Sequence, residues 1–220
     1  MTKTPLLAAL LAWFVVAAPF PVRSNASPAY PWLDGKLVTR TLEAAISPPP
    51  GFTRIAVEPG SFAAWLRGLP MKADGAPVRY YDGRLKWHQT YHAAVIDIDT
   101  GTRDLQQCAD AIMRLRAEYL LASGRSREIA FNYTDGRRVA YRGKSYADFK
   151  RYLIGVFSYA GSYSLEREMI PVPLADMRIG DAFIQGGFPG HAVLVIDMAE
   201  NRNTGEKRFS PVLRLSLIHI

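Results

Sequence analysis

The strongest periodic signal in the chain lies at residues 105–123, where Leu105, Cys108, Ile112, Leu115 and Tyr119 recur at spacings of three and four and Gly124 supplies a stop. This pattern predicts an amphipathic helix. Residues 146–159 carry a second helical pattern, weakened by Gly155. Two shorter ones cover 61–68, with Ser61 as N-cap and Gly68-Leu69-Pro70 as the stop, and 162–169. Strands are predicted at 52–58, 91–99, 182–185, 192–198 and 209–215. Two hairpins are predicted about Asp-Gly turns, 78–81 with 84–87 around Asp82-Gly83, and 128–133 with 137–142 around Asp135-Gly136. Helices and hairpins are mixed without the regular alternation of a parallel sheet. The expected fold is therefore α+β: a single domain with a mainly antiparallel sheet and the long cysteine-bearing helix packed on it.

The same pattern sets expectations for the two ends. Residues 1–26 have the layout of a secretory signal peptide: Lys3, an uncharged apolar run over 6–18, and Ser24-Asn25-Ala26. That run is shorter than the roughly 20 residues a membrane span needs, and no later stretch is long and apolar enough. The expected product is an exported protein, periplasmic or extracellular, without a membrane span after signal removal. Residues 27–51 form a proline-rich entry segment ending in Ser-Pro-Pro-Pro-Gly, which suits neither helix nor central strand. The compact domain is expected over 52–214, C-terminally truncated. The last six residues, Leu-Ser-Leu-Ile-His-Ile, read as a non-native tail resembling translated sequencing adapter.

Composition adds little about the fold but constrains partners. With 49% hydrophobic and 21% charged positions the chain is neither disordered nor low in complexity. Of 27 basic and 20 acidic residues, the signal removes two basic ones, and residues 125–151 hold eight basic against three acidic. Nucleic acid is excluded as a partner of an exported protein with no basic, aromatic-interleaved groove helix. Anionic cell-envelope material is the candidate partner; a merely solvated face is the alternative.

No cofactor is expected, because Gly186-Gly187 and Gly190 do not open a helix and make no phosphate loop. No metal is expected either: the His88, His92 and Asp97 spacing would need a helix where the pattern reads strand. The candidate chemistry rests on the single cysteine. Asp104 as N-cap with Gln107 three residues on reads as a capping box that places Cys108 in the first helical turn, where the helix dipole favours a thiolate. A thiol nucleophile needs a base, and His191, at the start of an apolar strand after a glycine-rich loop, is the preferred one. Gln107 would help hold the oxyanion. The alternative is that Cys108 is a core residue on the apolar stripe and His191 satisfies a backbone partner.

The segments GFTRI, SFAAWLRGLPMK, AAVIDIDTGTRDLQQCADAIMRLRAEYL, VFSYAGSYSLERE and IGDAFIQGGFPGHAVLVIDMA resemble the bacterial family called domain of unknown function 4846. That resemblance implies an exported protein and names no reaction. The order of cysteine helix then histidine strand is distantly similar to papain-like and transglutaminase-like enzymes, which implies a cysteine-dependent amide hydrolase or transferase acting on envelope peptides. The residue that orients the histidine in such enzymes has no counterpart at 210–216: either it lies in a missing C-terminal segment, in which case this fragment would be inactive even if the whole protein is an enzyme, or there is no triad. The competing function is a non-catalytic envelope-binding or structural domain.

Overall fold

The computed structural model describes residues 30–212 and Ile218–His219. The expected signal peptide, residues 1–26, lies outside the described residues, as do 27–29 of the entry segment and, apart from those two, the residues of the expected tail.

The elements in order are α1 (Leu42–Ala45), β1 (Thr53–Arg54), α2 (Phe62–Arg67), β2 (Ala94–Val95), α3 (Cys108–Ala122), β3 (Ala130–Asn132), β4 (Arg138–Ala140), α4 (Tyr146–Tyr159), α5 (Ser162–Glu168), β5 (Ala182–Gln185), β6 (His191–Glu200), β7 (Lys207–Val212) and β8 (Ile218–His219). The fold is α+β. Its sheet is organised by β6, which pairs antiparallel with β7 along one edge and with both β5 and β1 along the other. The short β8 pairs parallel with β7 and β2, so the sheet is mainly but not wholly antiparallel. The β3–β4 hairpin stands apart as a two-stranded sheet.

Caps set the helix ends where the sequence has them. Ser61 Oγ accepts from Ala64 N–H at the start of α2, and Ser145 with Asp148 closes a capping box on α4. The predicted strands at 52–58 and 91–99 shrink to two residues each. Around 91–99 the backbone bonds to an irregular neighbour, Lys72 N–H to Val95 O and Asp97 N–H to Pro70 O, and beyond β1 only Ile55 N–H continues the pairing, to Met198 O of β6. Compact structure also begins before residue 52. Tyr30 and Leu42 are buried in the main core, and Tyr30 Oη donates to Trp65 O at 2.8 Å.

A bulge between Val195 and Asp197 determines how β6 is buried. Before it, Ala192 and Leu194 face the core while Val193 is only half-buried. The extra residue resets the alternation and turns Asp197 to the face of Ala192 and Leu194. There Asp197 meets Arg67 of α2 at 2.7 Å and Arg54 of β1 at 2.6 Å. The helices α2 and α5 each pack against α3, and α3 packs on β6, so one layer of helices covers this face.

Candidate functional site

Cys108 is the first residue of α3 and is half-buried with a free thiol. Its cap differs from the expected one. Gln107, not Asp104, is the N-cap, and its N–H donates to Asp110 Oδ2 at 3.1 Å, so the box closes between Gln107 and Asp110 one turn further on. Asp104 is exposed. Gln107 is exposed too, and its part in the cap is the backbone N–H bonded to Asp110.

His191 opens β6 directly opposite Gln185 of β5. Its neighbours define its direction. A Cβ on Gly190 would land on Ser162 Oγ of α5, and one on Gly186 would meet Glu166 of the same helix, whose Oε1 accepts from Gly186 N–H at 2.9 Å. Only glycine permits this contact between loop and helix. Gly190 and Ala192 thus face the helices, and strict alternation turns His191, with Gln185 and Val193, to the opposite face of the sheet from α3. Neither Cys108 Sγ nor a His191 ring nitrogen makes a hydrogen bond among the described residues. The expected trio is therefore split: Cys108 and Gln107 share the α3 N-terminus, and His191 points away from it.

What does converge beside that N-terminus is a cationic cavity of about 240 Å³ between the 99–106 loop and α4. Its polar wall is Asp99, Arg103, Gln106, Arg114 and Lys150, and Leu105, Leu153 and Phe157 supply an apolar side. Arg114 is 2% exposed. Its Nε is held by Glu118 Oε1 at 2.7 Å, but its two terminal nitrogens have only long contacts of 3.3 to 3.5 Å, to Tyr146 Oη and to Asp99. Lys150 Nζ reaches Asp99 Oδ1 at 2.8 Å, and Arg103 has no ion-pair partner among the described residues. Gln106 donates weakly to Asp99 O at 3.4 Å, and its Oε1 is buried without a partner. Burial alone would raise the pKa of Asp99, but Lys150 and Arg114 outweigh it and hold the carboxyl below its ordinary range. Burial raises Glu118, against the pull of Arg114 and Tyr146. Of the three cations at the wall, Arg114 is paired with Glu118 behind it and Lys150 with Asp99, which leaves Arg103 as the one without an ion-pair partner among the described residues, beside an unpaired acceptor.

Asp110 stands one helical turn before Arg114 on the same face. Burial pushes its pKa up to about 7, against the hydrogen bond from Gln107 N–H, and its Oδ1 has no partner. A carboxyl whose folded pKa is raised binds a proton that the unfolded chain has released, so stability falls as pH rises from about 4 through 7. Unfolding measured in urea at pH 5 and pH 8 should show the native protein losing stability, by a few kcal/mol at most, where Asp110→Asn is flatter. Parallel pH curves for the two proteins would count against a buried, proton-binding Asp110. Glu118 acts in the same direction and is present in both, so the difference isolates Asp110.

The sequence carried a signal for this site that periodicity alone passes over. Asp110, Arg114 and Glu118 recur every four residues within a helix whose only other charged residue is Arg116, which marks a buried charged stripe rather than a solvated one. The expected basic run at 125–151 is different in kind. Arg125, Arg137, Arg138, Lys150 and Arg151 all pair with carboxylates, so most of its eight cations are locally balanced. Among the described residues no three His, Cys, Asp or Glu side chains gather as metal ligands, and no helix is long and apolar enough to cross a membrane.

A family described as Domain of unknown function (4846) matches residues 42–143 and 142–212, which includes α1 to β7, the cavity, Cys108 and His191. No curated protein and no solved structure matches the chain.

Proposed function

We propose, from the premise that the chain belongs to the domain of unknown function 4846 family, whose description carries no reaction, that the protein is an exported, non-catalytic domain binding a small oxyanion in the cavity between the 99–106 loop and α4. The single observation that carries this reading is the loosely held Arg114 guanidinium at the cavity wall, with Lys150 and Arg103 beside it. A guanidinium with long contacts has hydrogen-bonding capacity left for a carboxylate or phosphate, and the burial of Arg114 itself limits the screening of its attraction. The ligand would come from anionic cell-envelope material.

The second reading is a cysteine-dependent amide hydrolase or transferase, with Cys108 as nucleophile, His191 as base and Gln107 at the oxyanion. Its support is the half-buried thiol at the start of a 15-residue helix, beside a cavity. It requires His191 to cross to the other face of the sheet.

Two measurements separate them. Acetate and inorganic phosphate, each against chloride at matched ionic strength, should raise the melting temperature saturably, and Arg103→Ala/Lys150→Ala should weaken the half-saturating concentration roughly tenfold. An equal response in that variant would overturn the binding reading. Iodoacetamide labelling of Cys108 should proceed at the same rate in His191→Ala at every pH; a rate that collapses in that variant would restore the enzyme.

A further inference from the structure

A second surface lies away from the cavity, on the turn about Asp82-Gly83. Within twelve residues Tyr80, Tyr81, Leu85, Trp87 and Tyr91 are all exposed, Trp87 by 79%. Scattered exposed apolar side chains are ordinary, but a contiguous set on one projection marks a contact surface. The projection is firmly built. Val78 is buried at its base, and the Gln89 carboxamide clamps it, accepting from Val78 N–H and donating to Val78 O, both at 2.9 Å. Tyr80 N–H donates to Arg84 O at 2.8 Å, and Lys86 N–H to Val78 O at 3.0 Å. The outward side chains are thus presented by a fixed backbone.

The charges on this projection are unequal. By sequence the projection carries three basic residues, Arg79, Arg84 and Lys86, and one acidic residue, Asp82, which pairs with Arg84 at 2.6 Å. Arg84 and Lys86 lie over the Tyr80 ring at 5.6 and 5.7 Å, so cations and aromatic faces form one layer. The connector carrying Ile170, Val172 and Leu174 is also exposed, but its one cation, Arg178, is outnumbered by Asp176 and Asp181.

We propose that the 78–91 projection docks peripherally on an anionic phospholipid surface, with Trp87 and Tyr91 at headgroup depth and Arg79 and Lys86 against the lipid phosphates. Tryptophan and tyrosine favour the bilayer interface because one end of each ring is apolar and the other polar, and basic residues nearby add attraction to anionic headgroups. Charge complementarity selects this occupant over a neutral glycan or an apolar protein groove. Trp32 and Trp65 pack in or against the core, and Trp13 lies in the expected signal segment, so in protein from which residues 1–26 have been removed a change in tryptophan emission on docking reports Trp87.

The protein should co-sediment with vesicles of phosphatidylglycerol roughly tenfold better than with phosphatidylcholine, its tryptophan emission should move to shorter wavelength, and 0.5 M salt should weaken the interaction. Trp87→Ala/Tyr91→Ala and Arg79→Gln/Lys86→Gln, both at exposed sites and checked for unchanged melting temperature, should each reduce binding. No preference between the two lipids, or binding unaltered in both variants, overturns the proposal. Binding to an envelope glycan with no affinity for vesicles would also overturn it. Arg103→Ala/Lys150→Ala should leave vesicle binding unchanged, so this result stands or falls apart from the cavity.

Discussion

Replacing Asp197 by alanine should lower the unfolding free energy by about 3–5 kcal/mol. One carboxylate holds two arginines: Oδ1 accepts from Arg67 Nε at 2.7 Å and Oδ2 from Arg54 Nε at 2.6 Å. Arg67 is buried, and its remaining contact is with Met198 O at 3.3 Å, so loss of the carboxylate strands its charge away from water. Arg54 is partly compensated by Glu43 O and Ile46 O. Through these arginines Asp197 ties α2 and β1 to the centre of the sheet. Urea unfolding provides the measurement. A loss under about 1 kcal/mol would mean that the two guanidiniums find water or other partners, contrary to their burial.

The second large effect concerns the stripe behind the cavity. Arg114→Met removes the charge that neutralises Glu118, which is 0% exposed and whose Oε2 already lacks a partner. The expected cost at pH 7 is about 3–5 kcal/mol, because a buried carboxylate is left unpaired. Adding Glu118→Gln should restore at least half of that loss, since the amide keeps an acceptor for Tyr146 Oη, now 2.7 Å from Glu118 Oε1. If the double variant is as unstable as the single one, lost packing rather than charge is responsible. The ion pair also has a functional consequence. It fixes Arg114 through Nε and leaves the terminal nitrogens turned toward the cavity wall.

Local sequence chemistry determined more of this structure than long-range geometry did. Helix α4 runs from Tyr146 to Tyr159 as its apolar spacing predicts, because Ser145 and Asp148 fix its start and no other cap competes nearby. Strand β5 likewise matches its apolar run, and both Asp-Gly turns form with Gly83 and Gly136 at positive φ. The α3 start was misplaced because Asp104 and Asp110 both fit a capping pattern with Gln107. Burial, which the sequence does not display, decides for Asp110.

The side to which His191 points illustrates the other limit. A histidine at the head of an apolar strand is visible in the sequence, but its face depends on where Gly190 contacts Ser162, some 28 positions away along the chain. Strand parity is unforgiving: one residue of shift moves a side chain across the sheet. The cavity was missed for a related reason. Arg103, Gln106, Arg114 and Lys150 come from a loop and two helices, and no spacing rule joins them. Only the four-residue recurrence of Asp110, Arg114 and Glu118 hinted that a polar feature lay inside the fold.

The proposed ligand site is the cationic cavity and not a cysteine–histidine pair. Titrating the ¹⁵N-labelled protein with acetate and following backbone amide shifts tests it most directly. Saturable shifts concentrated at residues 99–106 and 150–157, lost in Arg103→Ala/Lys150→Ala, are the predicted result. Shifts that concentrate at the 186–191 loop instead, or that rise without saturation across the whole surface, would contradict the claim.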